Sequence, residues 1–266
     1  MTTKRIPAFV IIVLVLLAAC SSSLAGTARS DSDPKGTLLQ LINLSNQQAL
    51  NKPEARALLM DEALKWNGPT FGKMAAAPDK VVLINPTSAV GRVQHFAENG
   101  DVTDLYFYLS LDGVWRVRAM RALALTGIVR GAYEYLKSKS TRTAEEEEQF
   151  ANTQLVLASD EVLRGWFKQN QPDLNKLFEL SKVMKPGDFS STENPKYAGL
   201  KSQLRLLHLS LAEAKENGNV EFVIGGVTDN TVGFLYSPSN HPPAISSDEY
   251  IWVEEVAPKW FLFRTT

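Results

Sequence analysis

The sequence predicts an α+β fold: an N-terminal helical pair with a three-stranded antiparallel meander, a central helical segment, and a C-terminal antiparallel β-meander. Three observations carry this. Asn99-Gly100 and Asp112-Gly113 punctuate a run of β-branched and aromatic residues, and both dipeptides tolerate the positive φ of tight hairpin turns. Apolar residues recur at helical spacing from near Leu123 to Asn217. The residues after Asn217-Gly218 return to a period of two and are rich in aromatic side chains.

The composition is that of a globular protein, with 44% hydrophobic and 21% charged residues among 266. A net charge of −1 excludes a strongly basic nucleic-acid binder on bulk electrostatics, and no nucleic-acid partner is expected. One cysteine excludes a disulfide framework and any cysteine-built zinc site. Three scattered histidines argue against a histidine-built one, so no metal or cofactor is expected.

Lys4 and Arg5 precede an almost continuous apolar run from Ile6 to Leu17. At roughly a dozen residues this run is too short to span a bilayer comfortably and reads as a secretory signal. The tetrad that follows, Leu17-Ala18-Ala19-Cys20, resembles the lipobox of bacterial lipoproteins. That resemblance implies cleavage before Cys20, a diacylglyceryl group on its sulfur, and acylation of the new amino terminus. Ser21 at the next position, by the same resemblance, favours the outer membrane of a diderm host. The expected organisation is therefore a lipoprotein signal peptide over 1–19 and a flexible tether over 20–36, poor in apolar residues.

Order is expected from Thr37. Leu38, Leu41, Ile42, Ala49 and Leu50 fit one helical face; Ala55, Leu58, Leu59, Glu62, Ala63 and Trp66 fit a second, ended by Asn67-Gly68-Pro69. Val81 to Ile84 is a compact β-branched run. Val90–Glu98, Val102–Leu111 and Val114–Arg121 then read as the meander, completing an α+β part over 37–125. A helical segment over 126–216 follows. Thr143 and Glu146 have the spacing of a capping box, which makes Glu145 to Glu148 a dipole-stabilising, solvated helix start. Ser159 has the character of a helix cap, and Pro172 is placed near the start of another helix. Leu200, Leu204, Leu207, Leu211 and Ala214 predict one long helix stopped at Asn217-Gly218, with His208 beside its apolar stripe. The second meander occupies 217–266, and one compact unit or two remain equally open.

The sequence lacks a nucleophile elbow, a phosphate-binding loop and a dinucleotide-binding turn. Its sharpest candidate comes from turn arithmetic. Two-residue turns at Asn99-Gly100 and Asp112-Gly113 would set His95, Asp104 and Arg121 side by side on adjacent strands, with Tyr106 on the same face. That row is a candidate pocket for a small acid or anion, and His95 with Asp104 a candidate acid–base pair. Arg92 and Gln94 fall on the opposite face, exposed or covered by helices whose acids meet the basic residues.

Two helices followed by a twisted meander resembles the cone-shaped nuclear-transport-factor-like fold over Leu38–Leu125, a fold in which helices cover a curved sheet and leave a pocket. A third helix belongs around Thr70–Pro78 in that fold, and here the stretch is short and rich in alanine. The expected role is a lipid-anchored cell-envelope protein that binds an envelope partner or small ligand without catalysis; an enzyme using His95 and Asp104 is the alternative.

Overall fold

The computed structural model describes residues 33–98, 100–124, 126–190 and 194–266. The expected signal peptide, Cys20 and nearly all of the tether lie outside them. The α+β class holds, with two antiparallel sheets and six α-helices among the described residues.

Helix α1 (Pro34–Asn46) starts three residues early because Asp33 caps it, accepting from the Gly36 N–H, with Pro34 in the first turn. The expected second helix is broken into α2 (Pro53–Arg56) and a 3₁₀ turn at Asp61–Lys65. Its apolar spacing is real, and Ala55, Leu58, Leu59 and Ala63 are all buried. The intervening backbone, however, is taken by a strand. The Val117 N–H donates to the Leu58 carbonyl at 2.8 Å and the Met60 N–H to the Val117 carbonyl at 2.9 Å. The segment thus closes an edge that would otherwise be open to other chains.

The first sheet contains β1 (Lys73–Met74), β2 (Lys80–Asn85), β3 (Ser88–Phe96), β4 (Val102–Asp112) and β5 (Val114–Arg121). β1 and β2 share one side of β3, while β4 and then β5 follow on the other. Residues 70–78 hold turns and β1 rather than a helix. The meander forms, but its register is not the expected one. The Ala97 N–H donates to the Asp101 carbonyl, and Gly100 takes φ +86°, so the first turn holds three residues rather than two. His95 therefore pairs with Thr103, and Asp104 with Gln94. The second hairpin departs twice from the expected register: its turn pairs Asp112 with Val114, and a bulge between Tyr108 and Leu109 adds a further step, so Arg121 pairs with Tyr106 instead of Asp104. A one-residue slip moves every side chain of a strand to the other face.

The central segment forms α3 (Thr126–Ser138), α4 (Ala144–Leu157), α5 (Asp160–Ser181) and α6 (Ala198–Leu206). Thr143 and Glu146 form the reciprocal capping box, and Ser159 caps α5 by accepting from the Val162 N–H. Pro172 starts no new helix. It lies inside α5, where Leu163, Phe167, Leu174 and Leu177 are buried. An interior proline costs roughly 3 kcal/mol; full burial of four large apolar side chains, at about 1.5–3 kcal/mol each, outweighs it.

The second sheet contains β6 (Leu211–Ala214), β7 (Val220–Val227), β8 (Asn230–Tyr236), β9 (Tyr250–Ala257) and β10 (Trp260–Thr265), in the order β6-β7-β8-β10-β9. Leu211 and Ala214 thus belong to a strand, not to the end of the long helix expected. One face, with Phe222, Ile224, Val232, Phe234, Trp260 and Leu262, packs under α5 and α6. In the first sheet, Val93, Leu105, Phe107, Leu109 and Val117 pack against α1 and the segment after it. The other face of that sheet meets β9 directly, with Val90, Tyr106, Tyr108 and Ala119 against Ile251 and Trp252. Both sheets therefore belong to one unit.

Candidate functional site

The sequence-predicted row does not assemble. His95 is on the α1 face, 3.4 Å from the Thr103 hydroxyl through Nδ1, with its ring over Gly72. Arg121 makes a two-point contact with Glu62 at 2.8 and 3.0 Å and donates through Nε to the Ser247 carbonyl at 2.9 Å. Glu62 raises the Arg121 pKa, and the same contact holds the Glu62 carboxyl below its usual range. Asp104 and Tyr106 share the opposite face from His95, so the acid–base pair is not formed. The physical cause is the additional turn residue.

Asp104 and Tyr106 instead join a cluster that the arithmetic did not foresee, where the first sheet, β9, β10 and the start of α5 converge. Its centre is Asp160, fully buried at the first position of α5. One of its oxygens accepts from Arg92 Nη1 at 2.9 Å and Tyr106 OH at 2.8 Å; the other accepts from Arg264 Nε at 2.8 Å. Asp104 accepts the Asp160 backbone N–H at 2.7 Å, satisfying a helix-start donor. Arg92 also reaches Glu254 at 2.5 Å and Asp79 through Nε at 3.0 Å, and lies over the Trp252 ring at 5.0 Å. Lys80 and Arg164 complete Glu254 at 2.9 and 3.1 Å.

Electrostatics sort the carboxylates. Burial works to raise the Asp160 pKa, but Arg264 and Arg92 outweigh it and hold it below the usual range. Glu254 behaves alike, with Arg92 and Lys80 overcoming burial. For Asp104, burial and then the negative Asp160 prevail over Arg264, and the pKa is pushed up to about 6. A small cavity of about 80 Å³ touches Asp104 and Arg264. Arg264 Nη2 donates to the Ala158 carbonyl at 2.8 Å, and the other hydrogen bonds of the cluster named above run between its own members, the arrangement of an interior brace. Arg92 was legible as a basic residue awaiting a helix acid, and Asp160 supplies it. Nothing local in the sequence marks Glu254 or Arg264.

A second place has the opposite character. Between α4 and α6 lies an open concavity of about 540 Å³. The α4 wall supplies Glu145, Glu148, Gln149 and Asn152; the facing wall supplies Lys201, Arg205 and His208. Glu148 and Arg205 pair at 3.0 Å. Asn152 ties the floor, donating to the His208 carbonyl at 2.7 Å and the Ile224 carbonyl at 2.5 Å.

His208 sits there because α6 ends where the apolar stripe gave no warning. The His208 N–H donates to the Arg205 carbonyl and the Leu209 N–H to the Leu204 carbonyl, the paired bonds of a Schellman terminus. The left-handed position of that motif belongs ordinarily to glycine, yet here it is His208 at φ +54°. Its Nδ1 is buried without a hydrogen-bond partner among the described residues.

Among the described residues no cluster of histidine, cysteine or acidic side chains is arranged to hold a metal ion, and no helix is long and apolar enough to cross a membrane. No protein-family model, curated protein or solved structure matches the chain.

Proposed function

We propose that this chain is a lipid-anchored protein of the bacterial cell envelope, held to a membrane through Cys20, whose ordered part is a non-enzymatic binding module. The observation that carries the anchoring is the position of the sole cysteine, directly after an apolar run and Leu17-Ala18-Ala19. Several acyl chains give durable anchoring where one is marginal. Cleavage before Cys20 also removes Lys4 and Arg5, taking the net charge from −1 to −3. With Ser21 following, the outer membrane facing the periplasm is the proposed destination in a diderm host.

Support for binding over catalysis comes from how polar groups are used. His95 and Asp104 lie on opposite faces, and the buried charges are committed to one another. The resemblance of 38–125 to the nuclear-transport-factor-like cone belongs to the same proposal, with one difference: the helix-covered face, which leaves a pocket in such a cone, is packed here with Val93, Leu105, Phe107 and Leu109 against α1.

Intact-mass spectrometry of membrane fractions tests the anchoring. The mature chain should begin at Cys20 and carry acyl mass there, and Cys20→Ser should remain unprocessed and leave the anchored pool. A mature form without acyl mass at Cys20 ends the proposal.

A further inference from the structure

We propose that the concavity between α4 and α6 binds a zwitterionic amino acid or short peptide, with the ligand's ammonium against α4 and its carboxylate against Lys201 and His208. The inference rests on the reading of the ordered part as a binding module and adds the site and the ligand class.

Three observations converge on it. First, charge is separated by wall: the acids Glu145 and Glu148 stand on α4, and the cations Lys201 and Arg205 on α6. Glu148 forms the ion pair with Arg205, whose charge Glu145 also feels, while neither Lys201 nor Glu145 makes a direct ion pair among the described residues. One unmatched charge of each sign across a cleft complements a ligand carrying one of each. A purely anionic ligand would meet Glu145, and a purely cationic one Lys201.

Second, the imidazole of His208 is oriented by what it lacks. Nδ1 is sealed without a partner, whereas Nε2 is neither sealed nor hydrogen-bonded among the described residues. An N–H sealed without an acceptor costs more than a sealed lone pair, so the neutral tautomer carries its proton on Nε2. That nitrogen is then a donor toward the cavity, suited to a carboxylate oxygen. Third, the residue is held there against its backbone preference, at φ +54° in a position glycine normally fills. Strain of this kind concentrates at binding sites.

The cavity volume of about 540 Å³ suits a ligand of one to a few residues. Among the described residues no phenylalanine, tyrosine or tryptophan lines it, which argues against a sugar, whose apolar face is ordinarily stacked on such a ring. Leu204 and Leu209 supply a small apolar floor for a side chain such as a methyl group.

The test uses the full mature protein in detergent micelles, titrated calorimetrically with dialanine, N-acetyl-dialanine and dialanine amide. Dialanine should saturate, and removing either charge should weaken binding about tenfold or more, the scale of one charge-assisted hydrogen bond. Lys201→Ala should weaken dialanine about tenfold. So should His208→Asn, since asparagine tolerates the left-handed backbone; thermal melts of both variants check that the fold is intact. Long-range ¹H–¹⁵N spectra should show the His208 ring moving on titration, with His95 and His241 unmoved. Equal binding of the blocked peptides at His208 overturns the ligand class and leaves a binding module with another ligand. Absence of heat and of any His208 shift with all three probes overturns the site; acyl mass at Cys20 is judged separately.

Discussion

The two polar regions of this molecule, the Asp160 junction and the His208 concavity, are built on opposite principles. In the junction two arginines, three carboxylates and a tyrosine are buried, and their hydrogen-bonding groups are turned on one another. In the concavity, among the described residues, a lysine on one wall and a glutamate on the other make no direct ion pair, a histidine nitrogen has no hydrogen-bond partner, and the backbone beneath it is left-handed. Burial explains the difference. Unpaired charge in an interior would be prohibitive, whereas at a solvated cleft it costs little and stays open to a ligand. The junction therefore holds two sheets together, and the concavity keeps chemical capacity in reserve.

The largest expected effect tests the junction. Asp160→Ala removes the shared acceptor of Arg92, Arg264 and Tyr106 and leaves two guanidinium groups buried without it. Breaking a buried pair from one side costs about 3–5 kcal/mol, so the urea midpoint should fall steeply. Glu148→Gln, which breaks the open Glu148–Arg205 pair with Arg205 68% exposed, should leave the midpoint within experimental scatter. Similar losses in the two variants would collapse the contrast between the regions.

Local chemistry was legible wherever a short segment determines its own structure. The Thr143 capping box, the Ser159 cap and the strands of both meanders follow from residues within a few positions of one another. The failures came where a distant element decides. The edge of β5 recruits the backbone at Leu58 and Met60, which helical spacing assigned to a helix. The sheet beneath α5 carries Pro172 through a helix interior. The end of α6 was missed because the expected glycine is His208. The candidate site failed for the smallest reason: Asn-Gly marks a turn, but it does not fix whether two residues or three fill it. That single residue sent His95 to one face and Asp104 to the other, where Asp160, Glu254 and Arg264 arrive from far along the chain.

An intermediate effect sharpens the junction itself, through pH. Burial and the neighbouring Asp160 push the Asp104 carboxyl from 3.8 to about 6. The folded chain therefore keeps a proton across an interval in which the unfolded chain has released it. That preference favours folding below pH 4 and is lost as pH rises through 6. Asp104→Asn removes this titration while keeping a carbonyl for the Asp160 N–H. Relative to wild type, the variant should gain on the order of 2 kcal/mol between pH 4 and pH 7.5, read from urea unfolding at both values. Asp160 and Glu254 have lowered values, so their contribution runs the other way and weakens the fold as acid is added. A wild-type-to-variant difference independent of pH would mean that Asp104 is not confined with Asp160 as described.

The smallest effect should have the opposite sign, and it belongs to the concavity. His208 occupies the left-handed position of the α6 terminus at φ +54°, where a side chain with Cβ is strained and glycine is not. Its Nδ1 also lies buried without a partner among the described residues, a second cost that disappears with the ring. Against these gains, glycine loosens the unfolded chain and forfeits the packing of the imidazole, so only part of the gain remains. His208→Gly should therefore raise stability by about 0.5–1 kcal/mol, visible as a slightly higher urea midpoint at unchanged slope. The paired bonds from His208 to Arg205 and from Leu209 to Leu204 are made by backbone and survive the change. A substitution at a packed structural histidine does the reverse and destabilises, so the sign of the shift alone separates the two roles. If stability rises while dialanine binding falls, the strain at this position is retained for the ligand. If stability falls, His208 is a packing residue, and the contrast between a matched junction and an unmatched concavity loses its second half.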